Sequence, residues 1–451
     1  MQSFEIDKSD LLRIEAALES DDVELERVLK EYHASEIAML FEKLPQEAKE
    51  RIINILPTEI ASEVISEMGE DQSPGELLIN LHPEKRSEIV EELDYDDATD
   101  IISQLDEDEQ QEILEDIDED DAHSIRALLK YDEDTAGGLM NSEIIKVNIN
   151  LDKKDALEEI IRQSEEMEEF YTIYVVDDND ILQGILSIKS IIKAKHEAHV
   201  KDLVNTDFVY VKADLDQEDV ASLFSQYNLT TIPVVDDNMK LLGRITVDDI
   251  IDVMEQESTE DILKFSGVSE DEELSGNWKD AVKSRLPWLV INLATAYLAA
   301  SVIRHFDSTV SQLPTIAAYM TIIAGMGGNA ATQSLAVTVR RISLSDLSDK
   351  QAYNTVVKEF LVGLLNGAAN GLIVFFIAWF FDASPMLGLV LFLAMTGNLI
   401  IAGLTGASIP LVLKRVGIDP AVASSIIITT FTDCAGFLLP LWFATKLLLH
   451  H

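Results

Sequence analysis

From Leu286 to its end the sequence consists of long apolar stretches with almost no charge. Five of them run approximately Leu286–Ile303, Leu313–Val339, Thr355–Phe381, Met386–Leu413 and Ala421–Leu449. Each is long enough to cross a bilayer as a helix, which takes roughly 20 residues. Joined by short links, such runs leave no amphipathic surface helix to cover a soluble core. The expectation is an all-α membrane domain of five spans over 285–451.

Charge follows the same division. The 451 residues include 82 Asp+Glu against 34 Lys+Arg, a formal net charge of −48. Only 7 of the acidic and 8 of the basic residues fall from Leu286 onward. The acidic excess therefore lies in the first 285 residues, a surface that repels phosphate and argues against nucleic-acid partners. The single Cys434 excludes a disulfide framework and a Cys-rich zinc site. The start, MQSFEIDKSD, has neither the basic nor the apolar region of a signal peptide, so the acidic part is expected in the cytosol. Basic residues precede the first span (Lys279, Lys283, Arg285) and lie in the second link (Arg340, Arg341, Lys350, Lys358) and the fourth (Lys414, Arg415). The link between spans three and four carries only Asp382. By the positive-inside rule this places the N-terminus inside and the C-terminus outside the plasma membrane.

The spans are not uniformly apolar. The second contains Gly325-Met326-Gly327-Gly328-Asn329-Ala330-Ala331-Thr332-Gln333, the fourth Thr396-Gly397-Asn398, and the fifth Ser424, Ser425, Thr429, Thr430, Thr432 and Asp433. Small residues let helices approach closely, and packing alone accounts for most of the glycines. Asn329, Thr332, Gln333, Asn398, Ser425 and Thr429 are candidates to line a polar path. Asp433 is different. A carboxylate inside a span costs several kcal/mol, by roughly any scale, unless it faces a cavity or a cation. Two readings stay open, a protonated structural acid and a cation site; the second is favoured because no basic residue lies at comparable depth.

Residues 1–133 read as helical, with apolar positions at 3.6-residue spacing. Above this lies a longer repeat. Leu44, Leu56, Met68, Leu81, Leu93, Leu105 and Ile117 recur every 12 or 13 residues, each followed within two positions by Pro, Gly or Asp. Each unit is a short helix stopped by a breaker or started by a cap, so the expectation is an acidic helical superhelix. A second repeat follows over 134–255. Ile173-Tyr174-Val175-Val176-Asp177-Asp178 and Gly184-Ile185-Leu186-Ser187 are matched, at an offset of 59, by Ile232-Pro233-Val234-Val235-Asp236-Asp237 and Gly243-Arg244-Ile245-Thr246. Each copy reads as strand, Asp-rich turn, strand, helix. The pattern resembles a tandem pair of CBS domains, an α/β unit with a cleft for nucleotides or ions. Thr246 and Asp249 match that family's ribose-binding Thr-x-x-Asp, whereas the first copy has Ser190 in place of the Asp. Residues 256–284 connect this part to the first span and read as a lever or a passive spacer.

The whole order resembles the MgtE family of magnesium channels and transporters. The resemblance rests on the acidic superhelix, the stretch Asp132-Glu133-Asp134-Thr135-Ala136-Gly137-Gly138-Leu139-Met140, the CBS pair, ESTEDILKFSGV, and spans carrying GGNAATQ and TTFTDCAGF. It implies a homodimer with a pore on its two-fold axis, Asp433 as the pore Mg²⁺ site, and a connecting "plug" helix that shuts the pore when cytosolic Mg²⁺ is bound. The regulatory carboxylates it implies are Glu63, Asp96 and Asp100 in the superhelix, Asp216, Glu218, Asp249 and Asp252 on the CBS side, Glu257, Glu260 and Asp261 on the plug, and Asp419 facing it. Asn228 stands where a relative's pattern has an acidic residue. With the residues and the resemblance taken together, three functions remain open. They are a Mg²⁺ channel, a CBS-controlled membrane sensor or scaffold that conducts nothing and binds ATP or an ion, and a proton-coupled divalent-cation transporter. No Ser/His/Asp grouping, phosphate loop or His pair at metal-ligand spacing points to an enzyme.

Overall fold

The computed structural model describes residues 8–69, 72–164, 170, 172–268, 278–344, 348–419 and 424–449. The chain divides into two compact units, Met1–Glu257 and Ser258–His451.

The first unit opens with α1 (Lys8–Leu18), α2 (Asp22–Leu29), α3 (Ala34–Phe41), α4 (Gln46–Ile55), α5 (Thr58–Ser66), α6 (Pro74–Asn80), α7 (Pro83–Glu92), α8 (Tyr95–Ser103), α9 (Glu107–Asp116) and α10 (Glu119–Leu128). The breakers of the repeat do what their chemistry dictates. Pro45 and Pro57 cap α4 and α5, and Pro74 and Pro83 open α6 and α7, where the missing N–H costs nothing. Asp106 and Asp118 accept from the backbone N–H groups of Glu109 and Asp120, satisfying donors that have no partner within the helix. The repeat's apolar markers, from Leu44 to Ile117, are all buried in one continuous core. The helices pack mainly on the next but one, α3 on α5, α4 on α6, α5 on α7 and α6 on α8, which is how units too short to fold alone form a superhelix.

The CBS repeat folds as two copies of one motif. The first comprises β1 (Lys146–Asn148), α11 (Lys153–Gln163), β2 (Thr172–Val176), β3 (Leu182–Ser187), α12 (Ile188–Lys193) and α13 (Val200–Leu203). The second comprises β4 (Val211–Lys212), α14 (Gln217–Tyr227), β5 (Thr231–Val235), β6 (Leu241–Thr246) and α15 (Val247–Ser266). In each sheet the first strand pairs parallel with the second, and the second antiparallel with the third. The 59-residue offset holds in the register, with Thr172 opposite Ser187 in one copy and Thr231 opposite Thr246 in the other. Asp177 and Asp236 close the two hairpin turns by accepting backbone N–H groups. The repeated glycine of the third strand is steric: a Cβ on Gly243 would lie 2.5 Å from the Asn141 carbonyl oxygen.

The second unit contains the end of α15, then α16 (Trp278–His305), α17 (Asp307–Gln312), α18 (Ile316–Leu344), α19 (Asp349–Phe381), α20 (Pro385–Val416), α21 (Ser424–Ala444) and a wider final turn, Thr445–Leu449. Among the described residues four helices are long and apolar enough to cross a membrane: Ala281–His305, Asp349–Phe381, Pro385–Val416 and Ile426–Leu449. The sequence leads one to expect five. The second of them, α18, has the length at 29 residues, but its glycines and its Asn, Thr, Gln and Ser residues lower its hydropathy. In this unit α20 is central, packing against α18, α19 and α21. Gly363 of α19 abuts α20 so closely that a Cβ there would lie 2.5 Å from the Leu399 carbonyl oxygen, the small-residue contact expected between helices in lipid.

Candidate functional site

The polar residues of α18 do not share one environment. Thr321, Gly325, Asn329 and Thr332 are exposed, and Gln333 beside them is exposed too. A Cβ built on Gly325 or Gly328 meets nothing within 4 Å. Spacings of three and four place these residues along one helical face, and that face is open. Gly327 points the opposite way, into α20. Asn398, expected on the polar path, is fully buried there instead. Its Nδ2 donates to the Ile323 carbonyl at 2.8 Å, because a buried carboxamide must find a partner.

Asp433 lies on α21 one turn before Gly436, whose backbone abuts Ala324 of α18. The Asp433 carboxylate is half-buried, about one turn from that contact with α18. Thr429 and Thr430 precede it on α21, and both turn their hydroxyls back to the Ile426 carbonyl. The side chain of Ser425 lies outside the described residues. The stretch thus offers one carboxylate, hydroxyls and amides beside an open strip of backbone, which are hard oxygen ligands suited to a hydrated divalent cation.

In the first unit the sequence-derived acids divide. Asp96 of α8 is buried, and Asn141 Nδ2 donates to its Oδ1 at 3.1 Å. Asn141 in turn pairs its backbone with Arg244 of β6, so α8 is docked on the second CBS copy. Burial, with Asp249, Asp97 and Asp94 nearby, holds the Asp96 carboxyl well above the usual carboxylate range. Burial and the neighbouring Asp94, Asp249, Asp248 and Glu67 push Asp97 up to about 7. Asp249 is pushed up to about 6, chiefly by burial, although Thr246 donates to it from both its backbone N–H and Oγ1, the latter at 2.7 Å. Carboxylates from α8 and from the start of α15 thus crowd one junction, where any bound cation relieves their repulsion. Carboxylate oxygens alone are a donor set that fits Mg²⁺.

Glu63 and Asp100 are exposed on α5 and α8. Asp216 caps α14 by accepting from the Glu218 N–H at 2.9 Å, and Glu257 accepts from Gln217 Nε2 at 2.7 Å. Asp252 is exposed on α15, its carboxyl raised by partial burial and by Glu255. Asn228, at the C-terminus of α14, has a left-handed backbone with φ of 51°, a conformation that Asn tolerates better than most side chains. In the second unit Glu260, Asp261 and Asp419 do come together. Lys264 pairs with Glu260 and, at 3.3 Å, with Asp419. Burial and the Asp419 carboxylate raise Asp261, against the opposing effect of Arg340. Among the described residues no three His, Cys, Asp or Glu side chains converge as a preformed ion cage.

Comparison with known proteins agrees with this layout. Residues 320–443 match the MgtE divalent cation transporter family, 32–134 the MgtE intracellular N domain, and 136–197 and 200–256 the CBS domain. The magnesium transporter MgtE of Thermus thermophilus is 33% identical over 439 residues, covering 96% of this chain and 97% of that protein. The chain belongs to the MgtE family. A second MgtE, from Bacillus subtilis, is 31% identical over 418 residues, 93% of this chain and 92% of that protein. Among solved structures, the cytosolic domain of the Mg²⁺ channel MgtE in complex with ATP is 35% identical, with a TM-score of 0.51 over 54% of this chain and 99% of that one.

Several residues of this MgtE chain escaped the sequence reading. Asp94, Asp97, Asp248 and Glu67 join the α8 junction, and Asn141 anchors it. The DYDD run of α8 was the available signal, but it reads as solvated surface charge. Glu359 of α19 is 5% exposed, a second acid buried in the helical unit beside Lys358. Lys264 had no signal, since an isolated lysine on an acidic helix reads as an ordinary i,i+4 partner.

Proposed function

We propose that this chain takes up Mg²⁺ across the plasma membrane, as a homodimer of five-span subunits with the acidic domains in the cytosol. Asp433 is the ion site of the path. Asn329, Thr332, Gln333, Ser425 and Thr429 line it, while Asn398 supports it from behind. The observation that supports this reading is the half-buried Asp433 one turn from Gly436, which packs on Ala324 of α18 next to the open Gly325. A hydrated ion needs width and oxygen ligands more than a tight cage, and a face of Gly, Asn and Thr supplies both. In lipid that polar strip needs cover, and a second copy bringing the same strip would enclose a wet path between them.

Closure follows from the acidic surfaces. Asp96, Asp249 and Asp252, with Glu63, Asp100, Asp216, Glu218 and Glu257, would hold regulatory Mg²⁺ in the cytosolic unit; Glu260, Asp261 and Asp419 would hold it at the end of α15. Bound there, Mg²⁺ supplies the positive charge that lets these carboxylates pack. Without it their repulsion weakens that packing. The Thr246–Asp249 pair is the candidate ribose site for ATP at the second CBS copy. The first copy offers only Ser187 and Ser190, joined to each other at 2.7 Å.

The test is Mg²⁺ flux into liposomes carrying the purified protein, with Asp433→Ala alongside. Flux in wild type that is lost in the variant supports the reading. No flux in either at low Mg²⁺ overturns it in favour of a non-conducting sensor. Flux that follows an imposed pH gradient favours proton-coupled transport through Asp433.

A further inference from the structure

The last turn of α15 is fixed by more than its carboxylates. The helix ends at Gly267, with φ of 75°, where the Val268 N–H bonds to the Leu263 carbonyl at 3.0 Å. This C-terminal motif sets the direction of the final turn. Phe265, in that turn, packs against a cluster of Ala331 and Leu335 of α18, Ala402 of α20 and Ile428 of α21. One residue earlier, Lys264 is largely withdrawn from solvent, its side chain 16% exposed. Its ammonium is shared between Glu260 on its own helix and Asp419 in the segment after α20.

We propose that Lys264 is a built-in counter-ion that holds the last turn of α15 to Asp419, just after α20, so that closure does not depend on divalent ions alone. This rests on the reading of α15 as the element that closes the path. An ammonium between two carboxylates does part of what a divalent cation does there: it lowers their repulsion and joins two elements. It also sits at the negative end of the α15 dipole, where a cation is favoured. Phe265 supplies the apolar part of the same contact and Lys264 its register. Lys264 is thus a positioning residue that sets how much Mg²⁺ is needed to close the path, acting through the elements that bind the ion rather than on the ion itself.

The experiment uses the full chain with spin labels at two exposed positions, Ser266→Cys and Val416→Cys, in a Cys434→Ser background. Distances between the labels are measured in EDTA. Wild-type Lys264 is expected to give a narrow distribution. Lys264→Met should broaden it and Lys264→Arg should retain it. Asp419→Asn should broaden it similarly, and the double variant should be no broader than either single one, because the two residues act as one pair. In flux measurements Lys264→Met should raise the half-closing Mg²⁺ concentration by about fivefold, the scale of one partly buried ion pair. Distances and threshold unchanged in Lys264→Met, or additive effects of the two single substitutions, overturn the proposal. If the wild type carries no Mg²⁺, the transport reading fails, while the EDTA distances still decide whether Lys264 is the tether.

Discussion

Asn398 Nδ2 donates to the Ile323 carbonyl at 2.8 Å, and Gly327 lies directly against that carboxamide. A Cβ on Gly327 would fall 2.2 Å from the same nitrogen. The amide crosses the α18–α20 contact only because residue 327 has no side chain. Turned into α20, Gly327 leaves Gly325 and Gly328 on the open face.

The two kinds of glycine should therefore respond differently to the same substitution. Gly327→Ala must displace the Asn398 amide or separate the helices, a cost of about 2 kcal/mol for overpacking and a lost buried hydrogen bond. Gly325→Ala adds a methyl group to open space and should stay within about 0.5 kcal/mol of wild type. Thermal unfolding of the detergent-solubilised protein measures both. Equal losses in the two variants would contradict the assignment of faces.

Arg86 is 1% exposed, and its guanidinium reaches Glu112 at 2.9 Å and Asp116 at 2.5 Å. Both acids lie nearer the surface, so the penalty for separating the pair is asymmetric. Glu112→Gln with Asp116→Asn leaves a buried charge without a counter-charge and should cost about 3 kcal/mol, whereas Arg86→Met leaves two acids that water can reach and should cost less. Hydrogen exchange of the α7–α9 amides in the intact protein would rank them.

The α8 junction should make the first unit pH-sensitive in a defined direction. Asp97 at about 7 and Asp249 at about 6 lie above their ordinary carboxylate values, so the folded state binds more protons than the unfolded one between those limits. The stability contributed by their protonated forms is full below about pH 4 and is lost as pH rises through 6 and 7. In EDTA, the melting temperature of the first unit should fall by roughly 5 °C between pH 5.5 and pH 7.5. Saturating Mg²⁺ should remove most of that difference. A melting temperature that rises over this range without Mg²⁺ would contradict the assignment.

Asp97→Asn removes one of the repelling charges while leaving an amide that can still bond. In EDTA at pH 7.5 the variant should melt higher than wild type, by a few degrees on the scale of roughly 1 kcal/mol, and should gain less on adding Mg²⁺. Calorimetric titration at constant pH in two buffers of different ionisation enthalpy should also show fewer protons released per Mg²⁺ bound.

Much of this architecture is legible in the sequence. The 12-residue spacing from Leu44 to Ile117 predicts a superhelix because a helix that short buries its apolar side only by stacking, and those markers are the buried ones. The 59-residue offset predicts two equal motifs, and the strand registers repeat it. Apolar length and the segregation of charge likewise mark the membrane part, since the solvent around a segment is written in its composition. Composition did not tell Asn398 from Asn329, or Gly327 from Gly325, because which face of a helix meets a neighbour depends on where the neighbouring helix lies. Nor did it reveal that Asp96 and Asp97 meet Asp249, or that Lys264 reaches Asp419. These partners are far apart in sequence, and an acidic or basic residue looks alike whether it is solvated or enclosed. Local pattern determined the elements, their repeats and their solvent. Only tertiary packing decided which polar groups were withdrawn from water and what they had to pair with, because that cost arises between segments and not within them.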